Sequence, residues 1–68
     1  MKVEMVINLY ADCGTKVEIG DRVAIETAKD MYVGKVKSLK PKMIGVSLDV
    51  GGSVGILYEN IKSFMVNK

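Results

Sequence analysis

The clearest statement of the fold is the stretch Ile44-Gly45-Val46-Ser47-Leu48-Asp49-Val50-Gly51-Gly52-Ser53-Val54-Gly55-Ile56-Leu57-Tyr58. Ile44, Val46, Leu48 and Val50 alternate with Gly45, Ser47 and Asp49. After the glycine pair, Val54, Ile56 and Tyr58 alternate with Ser53, Gly55 and Leu57. A period of two is the signature of a strand with one buried face. Two glycines reach positive φ without strain, so Gly51-Gly52 reads as the two-residue turn of a β-hairpin.

Working outward, Gly20-Asp21 punctuates the chain before a strand over Arg22–Ala28, with Val23 and Ile25 facing inward. Lys29-Asp30 turns it into a longer strand, Met31–Leu39. Gly34 in the interior of that strand marks a sharp bend or a close backbone approach. Lys40-Pro41-Lys42 ends the strand, because proline cannot donate to a central ladder. Glu59-Asn60 reads as a tight turn before a last strand, Ile61–Val66. Sixteen residues are Val or Ile, and β-branched side chains suit a pleated surface. Five strands on very short loops predict an all-β domain, a small, strongly bent barrel over residues 21–66.

Residues 1–15 form an N-terminal extension to that single domain. Val3, Met5, Ile7 and Leu9 alternate as a strand does, while Val3, Val6, Ile7 and Tyr10 also satisfy helical spacing. The β-branched content favours an extra strand over Lys2–Tyr10, followed by a loop at Ala11–Thr15.

The chain has 68 residues, 49% of them apolar, which is too hydrophobic for a disordered tail. A domain of this size buries only ~60% of the surface its unfolded chain exposes. Such chains lean on disulfides, a metal or self-association. Cys13 is the only cysteine and histidine is absent, so neither an internal disulfide nor a zinc cage is available. Self-association is the remaining expectation. The missing histidine also removes the usual general base, so no enzymatic activity and no cofactor are expected. The longest apolar run is three residues, too short to span a bilayer. Met1-Lys2-Val3-Glu4 lacks an apolar signal core, and with one free thiol the expected location is cytoplasmic.

Charge is unevenly placed. Residues 1–34 carry four bases and six acids, whereas residues 35–68 carry six lysines against only Asp49 and Glu59. Lys35, Lys37, Lys40 and Lys42 fall within eight positions. Two readings stand side by side: a phosphate-attracting cluster, or strand lysines that solvate the barrel and guard an edge. Tyr58 likewise reads either as a base-stacking ring or as a core tyrosine with its hydroxyl at the rim. The glycines match neither GxGxxG nor the P-loop spacing, and serve as turn and bend residues.

From Arg22 to Val66 the chain resembles the Sm/Sm-like family, which includes the bacterial RNA chaperone Hfq. Tyr32, Gly34 and Val36 match the aromatic-x-glycine-x-apolar portion of the family's first motif, and Leu39 its closing apolar residue. Met43, or Ile44 after a one-residue insertion, falls at the family's methionine. Gly55-Ile56-Leu57-Tyr58-Glu59-Asn60-Ile61 fits the second motif, with Asn60 and Ile61 matching best. The base-reading set is missing. Lys40 or Pro41 stands where the family has aspartate, Ile44 or Gly45 where it has asparagine, and Leu57-Tyr58 replaces arginine-glycine. The resemblance therefore implies assembly rather than uridine reading. In that family the fourth strand of one barrel pairs with the fifth of the next, giving a homo-oligomeric ring of about five to seven copies.

These readings together give an Sm-like ring-forming module that binds RNA or single-stranded nucleic acid with little base specificity. Its contacts are Lys35, Lys37, Lys40 and Lys42, with Tyr58 as the stacking candidate. The alternative is an oligomeric structural or adaptor protein that meets a protein partner. Gly52-Ser53-Val54-Gly55-Ile56 is also similar to a strand of the plasmid-borne dihydrofolate reductases. Their active pore needs glutamine and tyrosine where this chain has Gly55 and Leu57, so no catalytic residues carry over.

Overall fold

A computed structural model describes residues 2–4 and 8–67 and shows two antiparallel sheets. The larger contains β4 (Arg22–Thr27), β5 (Met31–Leu39), β6 (Met43–Leu48), β7 (Ser53–Leu57) and β8 (Ile61–Asn67), in the order β7-β6-β5-β4-β8. A single 3-10 turn, Tyr58–Asn60, joins β7 to β8. The smaller sheet contains β1 (Lys2–Glu4), β2 (Asn8–Tyr10) and β3 (Lys16–Val17) in sequence order.

Alternation sets the inner face of the large sheet. Val23 and Ile25 on β4, Ile44 and Val46 on β6, Ile56 on β7 and Phe64 on β8 are all buried. The register puts Ile25 beside Phe64, Ile44 beside Ile56, and Val36 of β5 beside Val46. Beyond Val36 the ladder slips, pairing Ser38 with Gly45 and leaving Lys37 as an extra residue on β5. A bulge of this kind bends its strand and increases the local twist. It also resets the inward parity, so that Leu39 packs against the core. Gly34 permits the crossing of β5 and β6. A Cβ there would run into the Ser47 carbonyl oxygen and lie 2.9 Å from the Leu48 Cα, both rigid backbone.

The hairpin from β6 to β7 forms where alternation places it, but its turn lies earlier in the chain than the glycine pair suggests. Gly51 N–H donates to the Leu48 carbonyl (3.0 Å), and Leu48 N–H donates to the Gly52 carbonyl (2.9 Å). Asp49 and Val50 are thus the central turn residues, and Gly51, at φ 109°, is the left-handed residue that follows them. This is the three-residue hairpin loop, a turn closed by a glycine bulge. Val50, expected on the inner face, is 93% exposed in consequence. The same construction recurs at Ala11–Thr15. There Gly14, at φ 91°, donates to the Ala11 carbonyl (2.9 Å) and Ala11 N–H to the Thr15 carbonyl (2.8 Å).

Two further expectations are corrected. The sheet does not close into a barrel: no ladder joins β7 to β8, and both remain edges. Residues 2–10 do not form one strand, because β1 and β2 run antiparallel, with Val3 opposite Leu9. Met5, Val6 and Ile7, on which the strand and helix readings both drew, lie outside the described residues. The physical reason for both corrections is shared. Leu9, Ala11 and Val17 are buried and belong to the same core cluster as Val23, Ile25 and Phe64. The small sheet therefore covers inner-face surface that barrel closure would otherwise have to hide.

Asp12, in the β2–β3 turn, fastens the two sheets together. Its N–H donates to the Phe64 carbonyl (3.0 Å), and its carboxylate Oδ2 accepts from the Phe64 N–H at 2.8 Å. Both outward-facing backbone groups of the central β8 residue are thereby satisfied.

Two substitutions check this architecture in urea unfolding. Gly34→Ala should lower stability by about 3 kcal/mol, because backbone rather than a mobile side chain must move. Leu9→Ala should cost about 2–5 kcal/mol, the range for a buried leucine. An effect below about 0.5 kcal/mol, the surface range, would show that the small sheet is not part of the core.

Candidate nucleic-acid interface

The lysine cluster follows β5 and the turn after it. Lys35 lies on the outer face of β5, opposite the inward Gly34 and Val36, and is exposed. Lys37 is the additional residue at the bulge, also exposed. Lys40 and Lys42 flank Pro41 in the turn to β6 and are both exposed. The turn is closed by Lys40 N–H donating to the Met43 carbonyl at 3.0 Å.

Tyr58 supports this turn from below. Its hydroxyl donates to the Lys40 carbonyl at 2.7 Å, and its backbone N–H donates to the Lys42 carbonyl at 3.1 Å. One residue thus holds the main chain of both turn lysines while their side chains face outward. The ring is half-buried and packs against the core cluster. Burial pushes the phenol above its ordinary value of 10, so at neutral pH it remains a donor to Lys40. Of the two sequence readings of Tyr58, the rim tyrosine describes this geometry. The structure brings Tyr58 together with Lys40 and Lys42, while Lys35 and Lys37 lie further back along β5.

No acid lies within ion-pairing distance of these four lysines among the described residues. Asp49, which follows β6 at the end away from Lys40 and Lys42, is paired with Arg22. Both of its carboxylate oxygens face the two terminal nitrogens of Arg22, the longer contact being 3.4 Å. Arg22 sits opposite Lys35 in the β4–β5 register, so it would extend the basic strip were its guanidinium not taken. Sequence reading missed this pairing, since the partners are 27 positions apart and no local pattern links them.

Cys13 is exposed in the β2–β3 turn. Its Sγ lies 3.3 Å from the Thr15 hydroxyl, and hydrogen bonding from Thr15 lowers the thiol below its ordinary value. Among the described residues no group of three or more His, Cys, Asp and Glu side chains could hold a metal ion, and no helix is long and apolar enough to cross a membrane. Comparison of the chain with protein-family models, with curated proteins and with solved structures finds no match.

Proposed function

We propose that this protein binds single-stranded nucleic acid, RNA foremost, by its phosphate backbone. Lys40 and Lys42 make the leading contacts, with Lys35 and Lys37 continuing the path along β5. The observation that carries the reading is a cluster of four exposed lysines with no ion-paired acid among the described residues, two of them in a turn whose backbone Tyr58 holds in place. Uncompensated charge of this kind attracts polyanions and releases their counterions. Lysine is a point charge with no planar fork, so the contact positions the strand without reading its bases.

The fold is consistent with this reading. The strand order leaves the fourth and fifth strands of the large sheet, β7 and β8, at its two edges. Those are the strands through which Sm-like subunits join. The Gly34 crossing and the bulge at Lys37 give β5 the bend that an SH3-like or Sm-like second strand requires. Self-association belongs to the same reading, since each added copy repeats the lysine cluster. An adaptor role is the second reading, and its support is the open groove beside β7.

The decisive measurement is fluorescence polarisation with a labelled single-stranded RNA across a salt series. Four phosphate contacts predict a slope of about −3 in log K against log salt, from about −0.7 per contact on single strands. The double variant Lys40→Glu, Lys42→Glu should lose most of the affinity, flatten the slope and leave the unfolding midpoint unchanged. No binding at low salt would overturn the proposal. Protein capture that survives nuclease treatment would then favour the adaptor.

A further inference from the structure

The two edges of the large sheet are not equivalent. On β8, both outward backbone groups of Phe64 are occupied by Asp12, and Lys62 places a charge on the strand. Capping and charge are the devices by which edge strands avoid further pairing. On β7 there are none. Ser53-Val54-Gly55-Ile56-Leu57 has no charge, no proline and no bulge against β6.

The phase of the ladder shows which β7 groups are open. Tyr58 N–H donates to the Lys42 carbonyl, and the Gly52 carbonyl accepts from Leu48. The even-numbered positions therefore bond to β6. By the antiparallel alternation, the N–H and C=O of Ser53, Gly55 and Leu57 point away from the sheet. Among the described residues these groups have no partner, except the Leu57 carbonyl, which accepts the first bond of the 3-10 turn Tyr58–Asn60. Beside them runs a groove of about 580 Å³, lined by Val54, Gly55, Ile56 and Leu57 and floored by Tyr32 and Ile61.

We infer that β7 pairs antiparallel with β7 of a second copy of this chain, about a two-fold axis through Gly55, joining the two large sheets into one. The strand is complementary to itself in this register. Gly55 meets Gly55 of the partner subunit, Val54 meets Ile56 of the partner subunit, and Ser53 meets Leu57 of the partner subunit. The pairs at 53, 55 and 57 are the hydrogen-bonding ones, and with each Leu57 carbonyl already used by its own 3-10 turn they give about four new bonds. Glycine on the axis leaves the centre of the contact free of side chains, and the absence of charge on β7 removes repulsion between copies. The occupied edge of β8 sets this apart from the head-to-tail ring, which needs β8 as the acceptor. A two-fold contact of this type is isologous and closes on itself.

Light scattering behind a sizing column tests the inference. The wild-type protein should run at twice 7.4 kDa. Leu57→Pro should run as a monomer with an intact sheet spectrum. Leu57 already has φ −68°, which proline adopts, and its N–H faces away from β6, so the fold loses no ladder bond. Independently, Gly55→Cys in a Cys13→Ser background should form a disulfide-linked dimer under mild oxidant. The Cα atoms of a hydrogen-bonded antiparallel pair are ~5.5 Å apart, within disulfide range. The added Cβ meets only the mobile end of Met43. A wild-type monomer at all concentrations, a mass of about five to seven subunits, or a dimer that survives a folded Leu57→Pro would each overturn the inference. Failure of Gly55→Cys to cross-link a dimer would overturn the two-fold register. The Lys40→Glu, Lys42→Glu variant should keep the wild-type mass, so loss of nucleic-acid binding and loss of pairing are read separately.

Discussion

One face of a five-stranded sheet has to be kept from water, and the rest of this structure follows from how that is done. A sheet this small can roll up until its edges meet, or it can recruit a second layer. This chain takes the second course with the small sheet of β1, β2 and β3. Leu9, Ala11 and Val17 enter the core beside Val23, Ile25 and Phe64, and Asp12 ties the added layer to the backbone of β8. The edges of the large sheet then have no need to converge, and β7 and β8 end up in different states. One edge is occupied by the chain's own turn; the other is bare.

The charge distribution has a related origin. All four aspartates sit in turns: Asp12 at Ala11–Thr15, Asp21 at the bend before β4, Asp30 at the β4–β5 turn and Asp49 at the β6–β7 turn. Asp21 accepts from the Glu18 N–H at 2.8 Å, Asp12 from Phe64, and Asp49 pairs with Arg22. Short polar side chains are favoured in turns because they bond nearby backbone. Three of the four carboxylates are thus committed to holding the chain, and the lysines of β5 and its turn have no ion-paired acid among the described residues. The basic cluster is in this sense a consequence of turn chemistry elsewhere. It requires no pocket, only that acids be spent on structure.

What could be read from the residues, and what could not, divides by the range of the interaction. Alternation located the two strands of the β6–β7 hairpin and punctuation the other three, and the limits of β5 at Met31 and Leu39 agree with Lys29-Asp30 and Lys40-Pro41-Lys42 on either side. Gly34 was legible as a close approach because a strand interior offers few other uses for glycine. The hairpin turn was misplaced because two adjacent glycines are a louder signal than Asp-x-Gly, although the latter built the turns at Ala11–Thr15 and Leu48–Gly52. The two-residue β3 is too short to leave a period. Arg22–Asp49 and Asp12–Phe64 join positions 27 and 52 apart, and nothing local announces such pairs. Tyr58 sits between these cases. Alternation gives the side its ring takes, while the bond from its hydroxyl to Lys40 exists only once β7 lies beside β6.

The case for self-association has to be made differently once the structure is known. From composition it rested on stability, since a chain without disulfide or metal was short of core. The small sheet answers that shortage from within the chain, so a folded monomer is not in itself implausible. What remains is a matter of edge chemistry. The free N–H and C=O groups of β7 are solvated, and pairing them exchanges water for protein at modest net gain per bond. Against the loss of translational and rotational freedom on association, such bonds alone are a weak driving force. Apolar side chains must therefore supply the remainder: half-buried Val54 where pairing at β7 extends the inner face across the axis, and exposed Leu57 on the outer face. Two lysine clusters carried on one joined sheet would then engage one strand of nucleic acid together, and the second contact would form at the high effective concentration set by the first. Edge pairing and phosphate binding are separable in origin, but in such an assembly they would reinforce one another.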